Sequence, residues 1–216
     1  MKIKAAIFDL DGTILSNESV YAEAFNQVLS ELGIETKDPH PQTSGVGLQA
    51  NWLKFIKKYD IKTDLSIKDL INKTQSKYLS LIDRVTFKKG FEKFAVELAR
   101  HNLKKALATS NDKHVLEIVN RRFKLRKFFN IFTTIEEVEN SKPAPDIFLL
   151  TAKKLEVIPE ECVVFEDANA GIMAAKRAGM KAIGIANHEG FESLEGADFV
   201  VDDFTDISIE TLTALG

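Results

Sequence analysis

The chain has 216 residues, 44% of them hydrophobic and 28% charged, with a formal net charge of −3. Such a composition belongs to a globular protein with a sizeable core, and it excludes a disordered chain, a disulfide scaffold and a strongly basic nucleic-acid binder. No apolar run approaches the roughly eighteen residues of a spanning helix, and the start "MKIK" is too charged for a signal-peptide core, so the expectation is a cytoplasmic protein with neither membrane nor nucleic acid as partner.

In chain order, the first element is a short apolar strand in "AAIFDLDGTIL", residues 5–15, that runs straight into Asp9, Leu10 and Asp11. Strand residues two apart face the same way, so Asp9 and Asp11 are expected to share one space while Leu10 packs elsewhere. Gly12 permits a tight turn that brings backbone amides near an anion. An ordinary Asp-Gly turn reads the same way, so this stretch is not decisive alone.

From residue 16 to 86 the pattern is helical throughout. Val20, Tyr21, Ala24, Phe25, Val28 and Leu29 recur at helical spacing up to Gly33; Leu48, Trp52, Phe55, Ile56 and Tyr59 make a second face. Ile67, Leu70, Ile71, Thr74 and Tyr78 make a third, opened by a Ser66 cap with Asp69 three residues on. The expectation is an inserted all-helical cap over 16–86, joined near Ser16 and near Lys88 to Gly90, with residues 1–15 and 87–216 forming the core.

Beyond it, β-branched runs alternate with helical faces. "KKALAT" (104–109), "CVVFED" (162–167), "KAIGIA" (181–186) and "DFVVDD" (198–203) are predicted as strands buried on both faces. Phe91/Phe94/Ala95/Leu98, Val115/Leu116/Val119/Phe123, Ile147/Phe148/Leu150/Leu155 and the run 170–179 ending at Gly179 are predicted as helices. This is an α/β pattern with a parallel sheet, and ligands of such sheets bind at the carboxyl ends of the strands. The lone Cys162 sits inside a predicted strand, where it is a packing residue without a disulfide partner.

Three further places carry chemistry. Thr109-Ser110-Asn111 ends a strand ahead of a helix opening at Asp112 or Lys113, a neutral cradle for phosphate oxygens or equally a plain helix cap. Lys142 in "NSKPAPDIF" is stiffened by Pro143 and Pro145, with Asp146 placed to help open the following helix. Its point charge suits a phosphate, although most lysines are simply solvated. Glu166-Asp167 bring up to four carboxylates to one sheet edge with Asp9 and Asp11, unless they merely open a helix. Two unpaired charges about 4 Å apart repel by roughly 4 kcal/mol at an effective dielectric near 20, so a cation is required among them. Hard oxygen donors without His or Cys point to Mg²⁺. His40, His101, His114 and His188 are scattered and receive no role.

The ordered set "FDLDGT" (8–13), "ATSN" (108–111), "SKPAPDIF" (141–148) and "VFEDANAGIMAAKRAGM" (164–180) resembles the haloacid dehalogenase-like superfamily, in its phosphatase and β-phosphoglucomutase-like branch. The resemblance implies a Rossmann-like core, Mg²⁺, Asp9 as nucleophile and Asp11 as general acid and base. It implies Thr109 and Lys142, with Ser110 and Gly12, on the phosphate, and Asp167, Glu166, Asp9 and Asp11 around the metal. Asp11 also argues against dehalogenase chemistry, because dehalogenases of the superfamily lack the second aspartate.

Two departures bear on function. The Asp-Ser pair that many relatives carry after "DGT" is replaced by Ile14-Leu15-Ser16-Asn17-Glu18. Tyr21 lies where β-phosphoglucomutases have a histidine, and "SGVGLQANW" (44–52) lacks their arginine, without which a bisphosphate is poorly held. The expected function is therefore a Mg²⁺-dependent phosphatase of a small phosphorylated metabolite working through an aspartyl-phosphate. A sugar phosphomutase is the alternative, and a non-catalytic binding protein is disfavoured because Asp9, Asp11, Lys142 and Asp167 are all present. Tyr21, Phe25, Gln49, Trp52 and Asn111 are the candidate substrate contacts, although aromatics at helical spacing are as often cap core. Nothing suggests a self-complementary surface, so a monomer is expected.

Overall fold

A computed structural model describes residues 2–43, 46–186 and 193–215. The sheet begins with β1 (Ala5–Phe8), followed along the chain by β4 (Lys104–Thr109), β5 (Ile131–Thr134), β6 (Cys162–Glu166), β7 (Lys181–Ile185) and β8 (Phe199–Val201). A pair of short strands, β2 (Leu15–Ser16) and β3 (Thr86–Phe87), stands apart from it. The six strands lie in the order β5-β4-β1-β6-β7-β8, all parallel. This is the parallel α/β sheet that the alternation of strands and helices predicts, and the Rossmann-like core that the family resemblance implies.

The order explains where the site falls. Successive strands are laid down on one side of β1 and then on the other, so the crossovers diverge at the carboxyl end of β1 and leave a crevice there. β1 pairs with β4 and β6 from Ala5 to Phe8, and the ladder is extended by the Asp9 N–H donating to Phe165 O at 3.0 Å. Period-two alternation sends Phe8 to one face, where its ring stacks on Phe165 with centroids 4.5 Å apart and meets Phe91, Phe94, Phe129 and Phe204. Ala5 and Ile7 go to the other face, against Ala106, Ala108, Val164 and Ile172. Both faces of β1 are thus buried, and the chain leaves it with a single direction for polar side chains to take: outward, past the strand end.

Helices α4 (Phe91–Arg100), α5 (Lys113–Phe123), α6 (Asp146–Leu155), α7 (Asn169–Arg177) and α8 (Ile209–Leu215) follow their predicted faces or add to them. Asp112 caps α5 by accepting from Val115 N at 2.8 Å. Asp146 does not cap α6; its Oδ1 accepts from the Asn140 backbone and side chain at 3.2 and 3.0 Å and ties the loop before it. The edge strand β8 departs from expectation, since Phe199 and Val200 are exposed rather than buried on both faces. Cys162 is buried in β6 with Sγ 3.5 Å from Ile158 O.

Between β2 and β3 run α1 (Glu18–Glu31), α2 (Gly47–Tyr59) and α3 (Ile67–Ser80). Ser66 and Asp69 form the expected reciprocal cap, with Ser66 Oγ accepting from Asp69 N at 3.2 Å and Asp69 Oδ2 accepting from Ser66 N at 2.9 Å. The three helices enclose a cluster of their own made by Phe25, Val28, Leu29, Trp52, Phe55 and Leu70. Trp52 lies fully inside it, with Nε1 donating to Thr74 Oγ1 at 3.0 Å, so it is a packing residue and not a substrate contact. Among the described residues no helix is long and apolar enough to cross a membrane.

Candidate functional site

The carboxyl ends of β1, β4 and β6 and the loop before α6 deliver their side chains to one crevice. Asp9, Glu166 and Asp167 each offer an oxygen within 4.8 Å of the others, and all three are buried. Lys142 enters from the proline-stiffened loop with its ammonium bonded to Asp9 Oδ1 and, at 2.6 Å, to Glu166 Oε1. Its side chain is only 2% exposed, so this lysine is a buried counter-ion and not a solvated one. Arg177 Nη1 donates to Pro143 O at 2.8 Å and holds the loop from behind.

The charge balance is uneven. Burial lowers the tendency of Lys142 to stay charged, but the Asp9 and Glu166 carboxylates outweigh it and hold the ammonium above its ordinary range. Burial pushes Asp9 up despite Lys142, and lifts Glu166 to about 7 with the Asp9 charge adding to the effect against Lys142. Asp167 is raised well above the carboxylate range by burial and by Glu166, Asp9 and Glu18. Three hard oxygen donors, only two of them paired with the lysine, are a set that a small divalent cation fits, because it supplies the positive charge the pocket lacks.

Asp11 is positioned differently. It lines the same pocket as Asp9, as the two-residue spacing predicts, with Leu10 fully buried elsewhere. Its carboxylate, however, lies outside the acidic trio: Oδ1 accepts from Asn17 Nδ2 at 2.5 Å and Oδ2 from Asn111 Nδ2 at 2.6 Å. Each Asp11 oxygen thus accepts from a neutral amide, whereas Asp9, Glu166 and Asp167 turn theirs toward one another. Burial and the Asp9 charge raise its pKa to about 7, and the two amides oppose them.

Gly12 makes the turn that leads away from Asp11, with a φ of +78°, but its N–H donates to Leu15 O and Asn17 Oδ1, both at 3.0 Å, and is therefore already committed within the protein. What glycine provides is room, for a Cβ there would overlap the Asp167 carboxylate. Thr13, to which the sequence reading gave no role, donates its hydroxyl to Asp167 Oδ1 at 3.0 Å and orients it.

At the end of β4, Thr109 is buried and its Oγ1 accepts from Asn111 N at 3.1 Å, while Ser110 and Asn111 form the wall of the pocket. On the opposite side the pocket is bounded by Tyr21, Phe25, Gln42, Thr43, Leu48 and Asn51. Gln49 is exposed and not part of that wall; the helix turns it outward and presents Asn51 instead. Gln42 Nε2 donates to Glu18 O at 3.0 Å, and its buried Oε1 has no partner among the described residues. Ser44, Gly45 and His188 lie outside the described residues.

Gly171 was missed as well. A Cβ at this position in α7 would fall on the Glu166 carboxyl group. The available signal was a glycine within an otherwise good helix-forming run. Alanine in place of a helix-interior glycine ordinarily adds about 1 kcal/mol of stability. Here Gly171→Ala is expected to cost about 1–3 kcal/mol by overpacking and to displace Glu166 from Lys142. Thermal unfolding checks it, and a raised Tm would show that the carboxylate has space to spare.

An open parallel sheet with acids and a lysine gathered at its switch point defines the class, and comparison with known proteins places it. Residues 6–185 match the family model described as haloacid dehalogenase-like hydrolase. The chain belongs to this family. It is 33% identical over 184 residues to a phosphorylated carbohydrates phosphatase of Thermotoga maritima, covering 84% of each chain. It is 30% identical over 220 residues to the β-phosphoglucomutase of Bacillus subtilis, covering 97% of this chain and 94% of that one. Among solved structures, a β-phosphoglucomutase from Clostridium difficile superposes with a TM-score of 0.85 at 28% identity, covering 99% of this chain and 96% of the other.

Proposed function

We propose that the protein is a Mg²⁺-dependent phosphomonoesterase that hydrolyses a small phosphorylated metabolite through an aspartyl-phosphate. The observation that carries this reading is Asp9: a buried carboxylate at the sheet's switch point, with Lys142 on one oxygen and two further acids beside it. Phosphatase relatives in the family support the hydrolytic class.

In this reading an Asp9 oxygen attacks phosphorus in line with the ester bond, and that bond breaks as Asp11 gives its proton to the departing oxygen. A water then attacks the aspartyl-phosphate, passing its proton to the Asp11 carboxylate while the bond from Asp9 to phosphorus breaks and inorganic phosphate leaves. Lys142 offsets the charge of nucleophile and phosphate together. The Thr109 hydroxyl, which already accepts from Asn111 N, has its proton to donate to a phosphate oxygen, and Ser110 does the same from the pocket wall. Mg²⁺ held by Asp9, Glu166 and Asp167 would neutralise the remaining charge as carboxylate and phosphate approach one another.

We also take residues 16–86 as a cap and residues 1–15 with 87–216 as the catalytic core, the cap supplying the wall that meets the leaving group. The described lining on that side carries no lysine or arginine, which favours a single phosphate over a bisphosphate that must be held at both ends. The phosphomutase relatives keep the isomerase reading as the second possibility. Phosphate release from a panel of sugar, polyol, nucleotide and small-acid phosphates, with Mg²⁺ and with chelator, tests both. Chelator-sensitive release from one compound class is expected. Isomerisation of β-glucose 1-phosphate without free phosphate would replace the phosphatase reading with the mutase one.

A further inference from the structure

Asn17 falls in the stretch where this chain departs from its relatives' Asp-Ser pair, and the reaction as written gives it nothing to do. Yet it is completely buried and bonded on three sides. The Gly12 N–H can only donate, so it fixes Asn17 Oδ1 toward the backbone and turns Nδ2 the other way. That nitrogen uses both hydrogens, one on Asp11 Oδ1 at 2.5 Å and one on Tyr78 Oη at 2.9 Å.

Asn111 repeats the arrangement on the other oxygen. Its Nδ2 donates to Asp11 Oδ2 at 2.6 Å, and its Oδ1 accepts from the Tyr21 hydroxyl at 3.2 Å. The two tyrosines complete the figure: their rings are stacked, centroids 3.9 Å apart and 4° from parallel. Asp11, Asn17, Tyr78, Tyr21 and Asn111 therefore form a closed ring, hydrogen-bonded except at the stack. Asp11 and Asn111 come from strand ends of the main sheet, Tyr21 and Tyr78 from α1 and α3, and Asn17 from the joint between them.

We propose that Asn17 and Asn111 are the positioning residues of Asp11, and that the stacked Tyr78 and Tyr21 hold those two amides in place. The inference rests on the reading of Asp11 as the acid for the leaving group. Two fixed donors, one for each oxygen, leave the carboxyl group no rotation about its last bond, so its proton is presented to a single point in the pocket. Both donors are uncharged and do not lock the group as a permanent anion, which suits a residue that gives a proton in one step and takes one in the next. The tyrosine hydroxyls matter only through the amides; neither is bonded to Asp11 itself.

The test separates positioning from general damage by changing the leaving group. A nitrophenolate departs without help, whereas an alkoxide needs its proton, and kcat/KM reports only the steps up to that departure. kcat/KM is measured with p-nitrophenyl phosphate and with an alkyl phosphate for the wild type, Asp11→Asn, Asn17→Ala, Tyr78→Phe and Tyr21→Phe. Asp11→Asn is expected to lose about 10²–10⁴-fold on the alkyl ester and much less on the aryl ester. Asn17→Ala is expected to show the same selectivity at about 10- to 100-fold. Tyr78→Phe and Tyr21→Phe keep the stacked rings and remove only the hydroxyls, so they test the ring even if Asn17→Ala folds poorly. Each is expected to lose several-fold on the alkyl ester and less on the aryl ester, and the Tyr78→Phe effect is expected to vanish in an Asn17→Ala background because both act through one bond. Equal losses on the two esters in Asn17→Ala and both phenylalanine variants, beside a selective Asp11→Asn, would overturn the positioning role and leave the acid in place. An unselective Asp11→Asn would overturn the acid and the ring with it.

Discussion

Asp9→Asn is expected to reduce turnover by about 10⁴-fold or more while leaving the protein folded. The amide has the shape of the carboxylate but no charge with which to attack phosphorus. Stability is expected to hold or rise, because Asp9 and Glu166 share one lysine with Asp167 close beside them, and a neutral group in place of one of the three relieves repulsion inside a buried site. Lys142 keeps its second partner, Glu166, at 2.6 Å. Circular dichroism and thermal unfolding would be measured beside phosphate release. Turnover within tenfold of wild type would mean that Asp9 is not the nucleophile.

Lys142→Met has the opposite signature. The methionine fills most of the lysine's volume against the Phe148 ring, which lies 5.1 Å from the ammonium, but it leaves Asp9 and Glu166 buried without a cation. Breaking a buried pair by removing one partner costs about 3–5 kcal/mol, which for a chain of this size is a fall in Tm of roughly 10 °C. Activity is expected to fall as well, since the same charge offsets the incoming phosphate. Millimolar Mg²⁺ is expected to restore part of the lost Tm and to raise the wild-type value less, because binding to the folded state stabilises by mass action and the variant's acids lack any other cation. A variant as stable as the wild type without metal would show that Lys142 does not balance the acids.

Much of this site was legible in the chain because its parts are tied to periodic elements. Strand alternation put Asp9 and Asp11 in one pocket and Leu10 in the core; the apolar run ending at Phe165 put Glu166 and Asp167 at the next strand end. Periodicity says which way a residue on an element faces, and so Trp52 could be placed on a buried face but not distinguished as cap core until α1, α2 and α3 were seen to enclose it. It says nothing about irregular segments. Gln42 lies between α1 and α2, and no pattern marks it as part of the pocket wall in place of Gln49. β5, "IFTT", is made of strand-favouring residues but is too short to show a period; it is paired because β4 offers it an edge. Three of the four hydrogen bonds in the ring around Asp11 join residues 61 to 100 apart in sequence, for which a linear reading has no signal.

The position of β1 has a consequence for how the chain is made. The strand that precedes Asp9 is made before every other strand of its sheet, yet its neighbours there are residues 104–107 and 162–165. At about 5–20 residues per second, β1 waits for many seconds with both edges unpaired. The helices between β2 and β3 emerge during that wait and carry an apolar cluster of their own, so they can condense before the sheet exists. Early β1 is protected by brevity and by the charges beside it: four apolar residues followed by two aspartates make a poor template for pairing with another nascent chain. The acids that serve the mature site thus also guard the most vulnerable strand of the unfinished one.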